Sequence, residues 1–318
     1  MRFDSPIEWP NGSRCAVLVS VDLDAELVWL QFDASTKDRP KTLSIGEYGP
    51  LRGVPRVLDV LENEGVRSTW MVPGANAVKY APVVRAVAER GHEIGNHGYY
   101  HENFGLLSRE EQRTTLLRAN EAIEQACGRR PTGFRTPAGD MTAELNGLLL
   151  ELGFTYSSSM RGDDRPYMVE INDETTPLVE IPAHWELDDF PYFMFNYAPA
   201  FPVGQGRIAA YDEVLANWQA DFDAYYDLGL CYVIMFHPQT IGTPGRIRLL
   251  EELISHMKSK ESVWFATGSE LADWWRQDGP PNSPGNPLMV LERARAEGRM
   301  GLLGANVKDA AAPGASAR

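Results

Sequence analysis

The sequence predicts an α/β fold of one domain, with a parallel sheet closed as a barrel. Three observations lead there. Short apolar runs alternate with helix-length amphipathic stretches about seven times along the chain. The strongest of those runs, residues 15–23 and 230–236, are nearly continuous in apolar character, as strands buried on both faces are. The residues with chemistry to offer, Asp22, Asp24, His97, Arg135 and His237, fall at or just after the ends of such runs. In a barrel of this kind the loops that follow the strands carry the function.

The elements follow in order. Residues 15–23 read as the first strand. Residues 24–50 show no clear period and read as a long loop containing Trp29, Phe32 and Tyr48, of a length that is usually functional. Helical spacing runs over 54–64 and stops at Gly65. Residues 68–72 are a strand closed by Pro73 and Gly74, 81–90 a helix ending at Gly91, and 92–96 a strand that leads into His97. Ser108 and Glu111 form a capping-box pattern at the head of a helix that runs to Cys127 and stops at Gly128. Strands are expected at 132–135 and 155–157, with a helix at 143–152 between them. Residues 158–208 look irregular and rich in Pro and aromatics, with a strand at 178–181. A helix over 211–228 ends at Gly229. It is followed by a strand at 230–236, a helix at 244–258, a strand at 263–265 and a helix at 269–276. The barrel is expected to occupy 1–277. Residues 278–318 turn Pro/Gly-rich and then Ala/Gly-rich, and read as a tail, partly disordered or involved in assembly, with a short helix at 288–300.

Composition narrows the function. The chain has 318 residues, 43% of them hydrophobic, enough for a substantial core. A net charge of −14 argues against nucleic acid and against an anionic membrane surface as partners. The first six residues contain no apolar leader core, and no run reaches the length of a membrane span, so a cytoplasmic protein is expected. Three cysteines do not make a disulfide framework; Cys15 and Cys231 read as buried free thiols.

Asp22 and Asp24 are spaced i, i+2, which puts both carboxylates on one face of a strand. His97 and His101 are spaced i, i+4, which puts both imidazoles on one side of a helical turn. Two histidines and one aspartate make a three-ligand metal site with open positions, and the other aspartate is left to handle a proton. This points to metal-assisted hydrolysis. Zn2+ suits such a donor set best, and Co2+, Ni2+ and Mn2+ also fit it. An iron oxygenase with the same three ligand types is disfavoured. Those enzymes use double-sheet β barrels, whereas strands alternate with helices here.

The segment from Gly91 to His97, followed by His101, resembles the second motif of the polysaccharide deacetylase superfamily, the NodB-homology hydrolases. Phe134 to Gly139 resembles its third motif and Ile234 to Pro238 its fifth, so the likeness covers roughly 14–275. It implies a distorted (β/α)7, TIM-like barrel, in agreement with the alternation above. The first motif departs from the common one, because Leu23 separates the two aspartates. That version is similar to an intracellular branch containing cyclic imidases, a Helicobacter-type peptidoglycan deacetylase and allantoinase-like enzymes. The branch implies small cyclic imides or ureides as readily as sugars, and a homo-oligomer, often a tetramer. Its allantoinase-like members lack the full metal set, which this chain retains.

On this resemblance the metal ligands are Asp24, His97 and His101. Asp22 is the general base toward water on the metal, or a carboxylate that only orients a ligand. Arg135 pairs with Asp22, for catalysis or for the fold. His237 is the general acid, because an amide nitrogen leaves poorly until it is protonated; the bland alternative is a core histidine. Glu26 is open between a partner of the site, a substrate contact and a solvated loop residue. His92 reads as a buried hydrogen-bonding residue and His256 as part of a solvated helix face. Residues 184–190 occupy the place of the fourth motif without matching it closely, and Trp185 and Asp189 either shape the pocket or orient His237. Phe190, Tyr192, Phe193, Phe195 and Tyr197 line a pocket or pack under a loop. The expected activity is metal-dependent hydrolysis of a non-peptide C–N bond in a small cyclic imide or ureide. The alternative substrate is an N-acetylated sugar or peptidoglycan precursor.

Overall fold

A continuous apolar run cannot leave either face in water, and Cys15–Asp22 (β1) lies in the middle of the sheet with every residue buried. The computed structural model describes residues 6–196, 208–283 and 286. The other strands are Thr69–Val72 (β2), Glu93–Asn96 (β3), Gly133–Phe134 (β4), Tyr156–Ser157 (β5), Tyr167–Ile171 (β6), Glu174–Glu180 (β7), Cys231–Phe236 (β8) and Val263–Phe265 (β9). Their order in space is β6-β7-β5-β4-β3-β2-β1-β8, and β9 pairs with the first residues of β1. All pairings are parallel except that of β6 with β7.

Alternation along β1 separates two apolar layers. Val17, Val19 and Val21 pack outward with Trp70, Ile234 and the helix residues Leu58, Leu61 and Leu253. Ala16 and Leu18 point the other way and meet Met71, Tyr156, Val179, Val233 and Met235. This inner cluster joins β1, β2, β5, β7 and β8, strands far apart along the sheet, so the sheet curls onto itself. The result is a distorted barrel of the seven parallel strands β1, β2, β3, β4, β5, β7 and β8. The distortion lies between β7 and β8. Among the described residues they share no ladder, and the gap is crossed by a lone bridge from Asp188 to Met235.

Helices end where the sequence signals them. Val54–Glu64, Arg109–Cys127 and Tyr211–Leu228 each stop at a left-handed glycine, and Ser108 and Glu111 form the expected capping box. The stretch expected as a loop at 24–50 is instead folded into the helices Leu27–Phe32 and Pro40–Tyr48, with a 3-10 turn at Ala34–Asp38 between them. The apolar period fails there because Leu27–Phe32 buries only the consecutive Leu27, Val28 and Trp29, and Pro40–Tyr48 buries the small Thr42 and Gly46. A Cβ on Gly46 would meet the Glu26 backbone at 2.4 Å, so that helix presses directly on the chain just after β1. The irregular stretch expected at 158–208 contains a hairpin of β6 and β7, turned at Asn172 and Asp173 with φ of 52° and 64°. Two short helices, Gly74–Lys79 and Pro238–Ile241, were not signalled by any period. The helix expected at 288–300 and Tyr197 lie outside the described residues.

Cys15 and Cys231 are free and buried, and burial pushes the Cys15 thiol up to about 12. Among the described residues no helix is long and apolar enough to cross a membrane.

Candidate active site

β1 ends at Asp22, whose side chain shares the inner face with Leu18 and Ser20. The chain then turns sharply, with Ala25 at φ 49°. Asn76 holds that turn by donating from Nδ2 to the carbonyls of Leu23 and Asp24, at 2.7 and 2.9 Å. The Asp24 carboxylate is thereby fixed inside the cavity, 2% exposed.

β3 delivers His97 and His101, though not on a helical turn as the spacing suggested. Gly98 and His101 have φ of 69° and 63°, so the segment doubles back as a loop. The Asn96 side chain accepts from the Gly98 N–H, and Glu102 accepts from the Tyr99 N–H. These side-chain bonds satisfy backbone donors that a helix would have used, and they still bring both imidazoles to one place.

The two imidazole Nε2 atoms each lie 3.3 Å from a different oxygen of Asp24, and the three ligand atoms fall within 4.8 Å of one another. His97 Nδ1 lies 2.8 Å from the Arg135 carbonyl, which can only accept, so Nδ1 carries the proton. His101 Nδ1 lies 2.6 Å from Gln31 Oε1. The Gln31 amide is oriented by its own Nε2, which donates to the Ala138 carbonyl at 2.8 Å, so Oε1 must face the imidazole. In the neutral imidazoles both Nε2 lone pairs therefore aim at a carboxylate, and Asp24 Oδ1, fully buried, has no hydrogen-bond donor. Two imidazole lone pairs converging on a carboxylate with one buried oxygen that receives no donor make a set that a divalent cation fits. Burial opposes the charge of Asp24, but the positive charge that His101, His97 and His237 carry when protonated outweighs it and holds the carboxyl well below its usual range; a bound cation would take the place of that charge on the two ligand imidazoles.

Arg135 follows β4 and is 1% exposed. Its Nη1 donates to Asp22 Oδ1 at 2.7 Å and to Ser20 Oγ at 3.0 Å. Nε and Nη2 donate to the carbonyl and hydroxyl of Ser158. With every nitrogen engaged, the guanidinium fixes Asp22, whose other oxygen lies 3.8 Å from His97 Nε2. One residue thus holds His97 with its carbonyl and Asp22 with its side chain.

His237 follows β8 and approaches the cluster from another side, with Nε2 3.4 Å from Asp24 Oδ2. Its Nδ1 lies 2.8 Å from Asp189 Oδ1, and its backbone N–H donates to the same carboxylate. Asp188 Oδ1 is 3.5 Å from Nδ1. Burial disfavours the imidazolium, yet Asp188, Asp189 and Asp24 outweigh burial and push His237 up to about 10. Burial also pushes Asp188 up to about 6.

All six residues singled out for the site, Asp22, Asp24, His97, His101, Arg135 and His237, line one cavity of about 1010 Å³. Trp29, Phe32, Trp185 and Phe190 supply aromatic wall. Asp189 is the orienting partner of His237, and Trp185 shapes the mouth. Phe193 and Tyr192 instead pack on Trp218, and Phe195 is not part of the wall. Glu26 does not reach the cavity; it accepts from Lys79 Nζ and the Tyr80 hydroxyl at 2.7 and 2.9 Å. His92 is buried elsewhere, where its Nδ1 accepts from the Ser68 N–H. His256 pairs with Asp223. Asp188 lay in the stretch at 184–190 without being singled out, and Gln31 and Asn76 carried no sequence signal. They sit on elements read as loops or not seen, and no spacing ties them to the ligands.

The sequence profile of polysaccharide deacetylases matches residues 21–157. The peptidoglycan deacetylase of Helicobacter pylori is 30% identical over 288 residues, spanning 83% of this chain and 97% of that protein. A solved Mycobacterium smegmatis structure, described as a polysaccharide deacetylase, is 36% identical with a TM-score of 0.82, over 89% of this chain and 98% of that one. The Puue allantoinase structure is 23% identical with a TM-score of 0.75, over 87% and 96% of the two chains, a likeness of fold.

Proposed function

This chain belongs to the polysaccharide deacetylase family, and we propose that it is a metal-dependent hydrolase that opens a C–N bond in a small cyclic imide or ureide. The observation that carries the chemistry is the convergence of Asp24, His97 and His101 on one point, with Asp24 Oδ1 buried and lacking a donor. These three hold a divalent cation, and two imidazoles with one carboxylate suit Zn2+ best, with Co2+, Ni2+ and Mn2+ as the other candidates. A cation there supplies Lewis acidity toward the substrate carbonyl and lowers the pKa of water.

The protein's own groups divide the proton work. Asp22, aimed by Arg135, takes the proton of the attacking water. His237 gives a proton from Nε2 to the departing nitrogen, while Asp189 fixes the ring through Nδ1. The two act from different sides of the donor cluster, Asp22 beside His97 and His237 beside Asp24 Oδ2.

Burial of the donor cluster and the aromatic lining support a small ring. Asp22, Asp24, His97 and His101 are each at most 2% exposed, so the bond to be cut has to enter the cavity. Aromatic walls suit a flat heterocycle. A second reading, removal of acetyl from an N-acetylated sugar or peptidoglycan precursor, is favoured by the Helicobacter pylori relative. The metal-loaded protein is to be assayed with succinimide and dihydrouracil against N-acetylglucosamine oligomers. Ring opening supports the first reading; acetate release without ring opening replaces it with the second.

A further inference from the structure

One strong charge in the cavity wall has no part in the machinery above. Arg161 follows β5 and lines the same cavity as the donor cluster. Its Nη1 donates to the Ala183 carbonyl at 2.9 Å, and its guanidinium lies 4.1 Å from the centre of the Trp185 ring, which is 54% exposed at the mouth. Among the described residues it makes no ion pair and no further hydrogen bond, so most of its five N–H donors have no protein acceptor. Arg135, in the wall of the same cavity, has every nitrogen bound.

The position is costly for a cation left alone. Burial disfavours the charge and Arg135 adds repulsion, while Asp188, Asp22 and Glu180 attract it without pairing. Stacking on an indole and one carbonyl bond hold the planar fork still, so little side-chain freedom remains to be lost on binding. A preorganised guanidinium with open donors, in a wall partly screened from water, matches a carboxylate in two parallel bonds. Asp33 and Asp140 line the same cavity and repel such a group, which leaves Arg161 as the attractive place for it away from the donor cluster.

We propose that Arg161 is a specificity-determining residue that receives an anionic oxygen group, so that the substrate is a ring bearing a carboxylate. This rests on the imide and ureide reading. It separates substrate charge from ring type, because a neutral ring would leave the guanidinium unpaired.

The test compares hydantoin-5-acetic acid with its methyl ester, on the metal-loaded wild type and on Arg161→Gln and Arg161→Lys. Both kcat/KM and calorimetric affinity are read, and thermal melting checks that the variants fold. The wild type is expected to favour the carboxylate about tenfold or more in both readouts. Arg161→Gln should bring the ratio close to one, and Arg161→Lys should recover part of it. Equal handling of acid and ester by the wild type, or a preference that survives in Arg161→Gln, overturns the proposal. If neither ring is opened, the imide reading fails and the affinities decide on Arg161 alone. A carboxylate preference in binding that Arg161→Gln removes upholds its role, and its absence refutes it. A carboxylate attracted only by the cation would keep its advantage in Arg161→Gln, so that source is told apart.

Discussion

Gln31 Oε1 accepts a hydrogen bond from His101 Nδ1 at 2.6 Å, and the amide is locked in that sense by its own bond to the Ala138 carbonyl. A residue seven positions beyond Asp24 therefore decides which nitrogen of His101 carries the proton. Replacing Gln31 by Leu frees the imidazole to rotate and to change tautomer. Affinity for a divalent cation should fall about ten- to a hundredfold, as read by competition with a chromophoric chelator. Unchanged affinity would show that the loop alone orients His101.

Asp22→Asn removes the carboxylate that Arg135 holds but leaves the three donor residues in place. Turnover is expected to drop about 10²–10⁴-fold with the cation still bound. Parallel kinetics and elemental analysis separate these. Retained turnover would rule out Asp22 as the base, and lost metal would make it a ligand.

Asp189→Asn keeps the shape beside His237 and removes the charge that fixes Nδ1–H. The expected result is a fall in kcat of about 10²-fold with KM and metal content little changed. A change confined to KM would move Asp189 from orienting the acid to contacting substrate.

His92 gives a stability test remote from the site. It is buried, accepts from the Ser68 N–H on Nδ1, and is pushed down to about 4 by burial and then by Arg90 and Arg67. The unfolded chain binds the proton near pH 6.5, the folded one only near 4, so the unfolded state takes up more protons between them. Stability from this group is intact above pH 6.5 and is lost as pH falls toward 4, by on the order of 3 kcal/mol. Urea unfolding at stepped pH should show this loss in the wild type and a shallower one in His92→Gln. Equal slopes would mean that His92 titrates normally.

The strands and long helices were legible because burial imposes period and punctuation. The apolar run of β1 and the glycines at 65, 128 and 229 mark their elements without help from distant contacts. The residues of the site were legible by type and by their place at strand ends. Their local geometry was not. The i, i+4 spacing of His97 and His101 suggested a helical turn, and a loop with positive φ at both Gly98 and His101 does the work instead. That loop is held by bonds that Asn96 and Glu102 accept from the Gly98 and Tyr99 N–H groups, which no periodicity encodes. The helices at Leu27–Phe32 and Pro40–Tyr48 escaped notice because the first buries only three consecutive residues and the second packs through Thr42 and Gly46, and Gln31 escaped with them. The β6–β7 hairpin did have a signal, since Asn172 and Asp173 are residue types that accept positive φ at a two-residue turn.

The most direct measurement is the metal content of the purified wild type beside His101→Ala and Asp24→Ala, with circular dichroism as the check on folding. A single divalent ion per wild-type chain, lost from both folded variants, is the expected result. A wild-type chain that takes up no divalent cation when offered Zn2+, or variants that hold it as tightly as the wild type, would contradict a centre built from Asp24, His97 and His101.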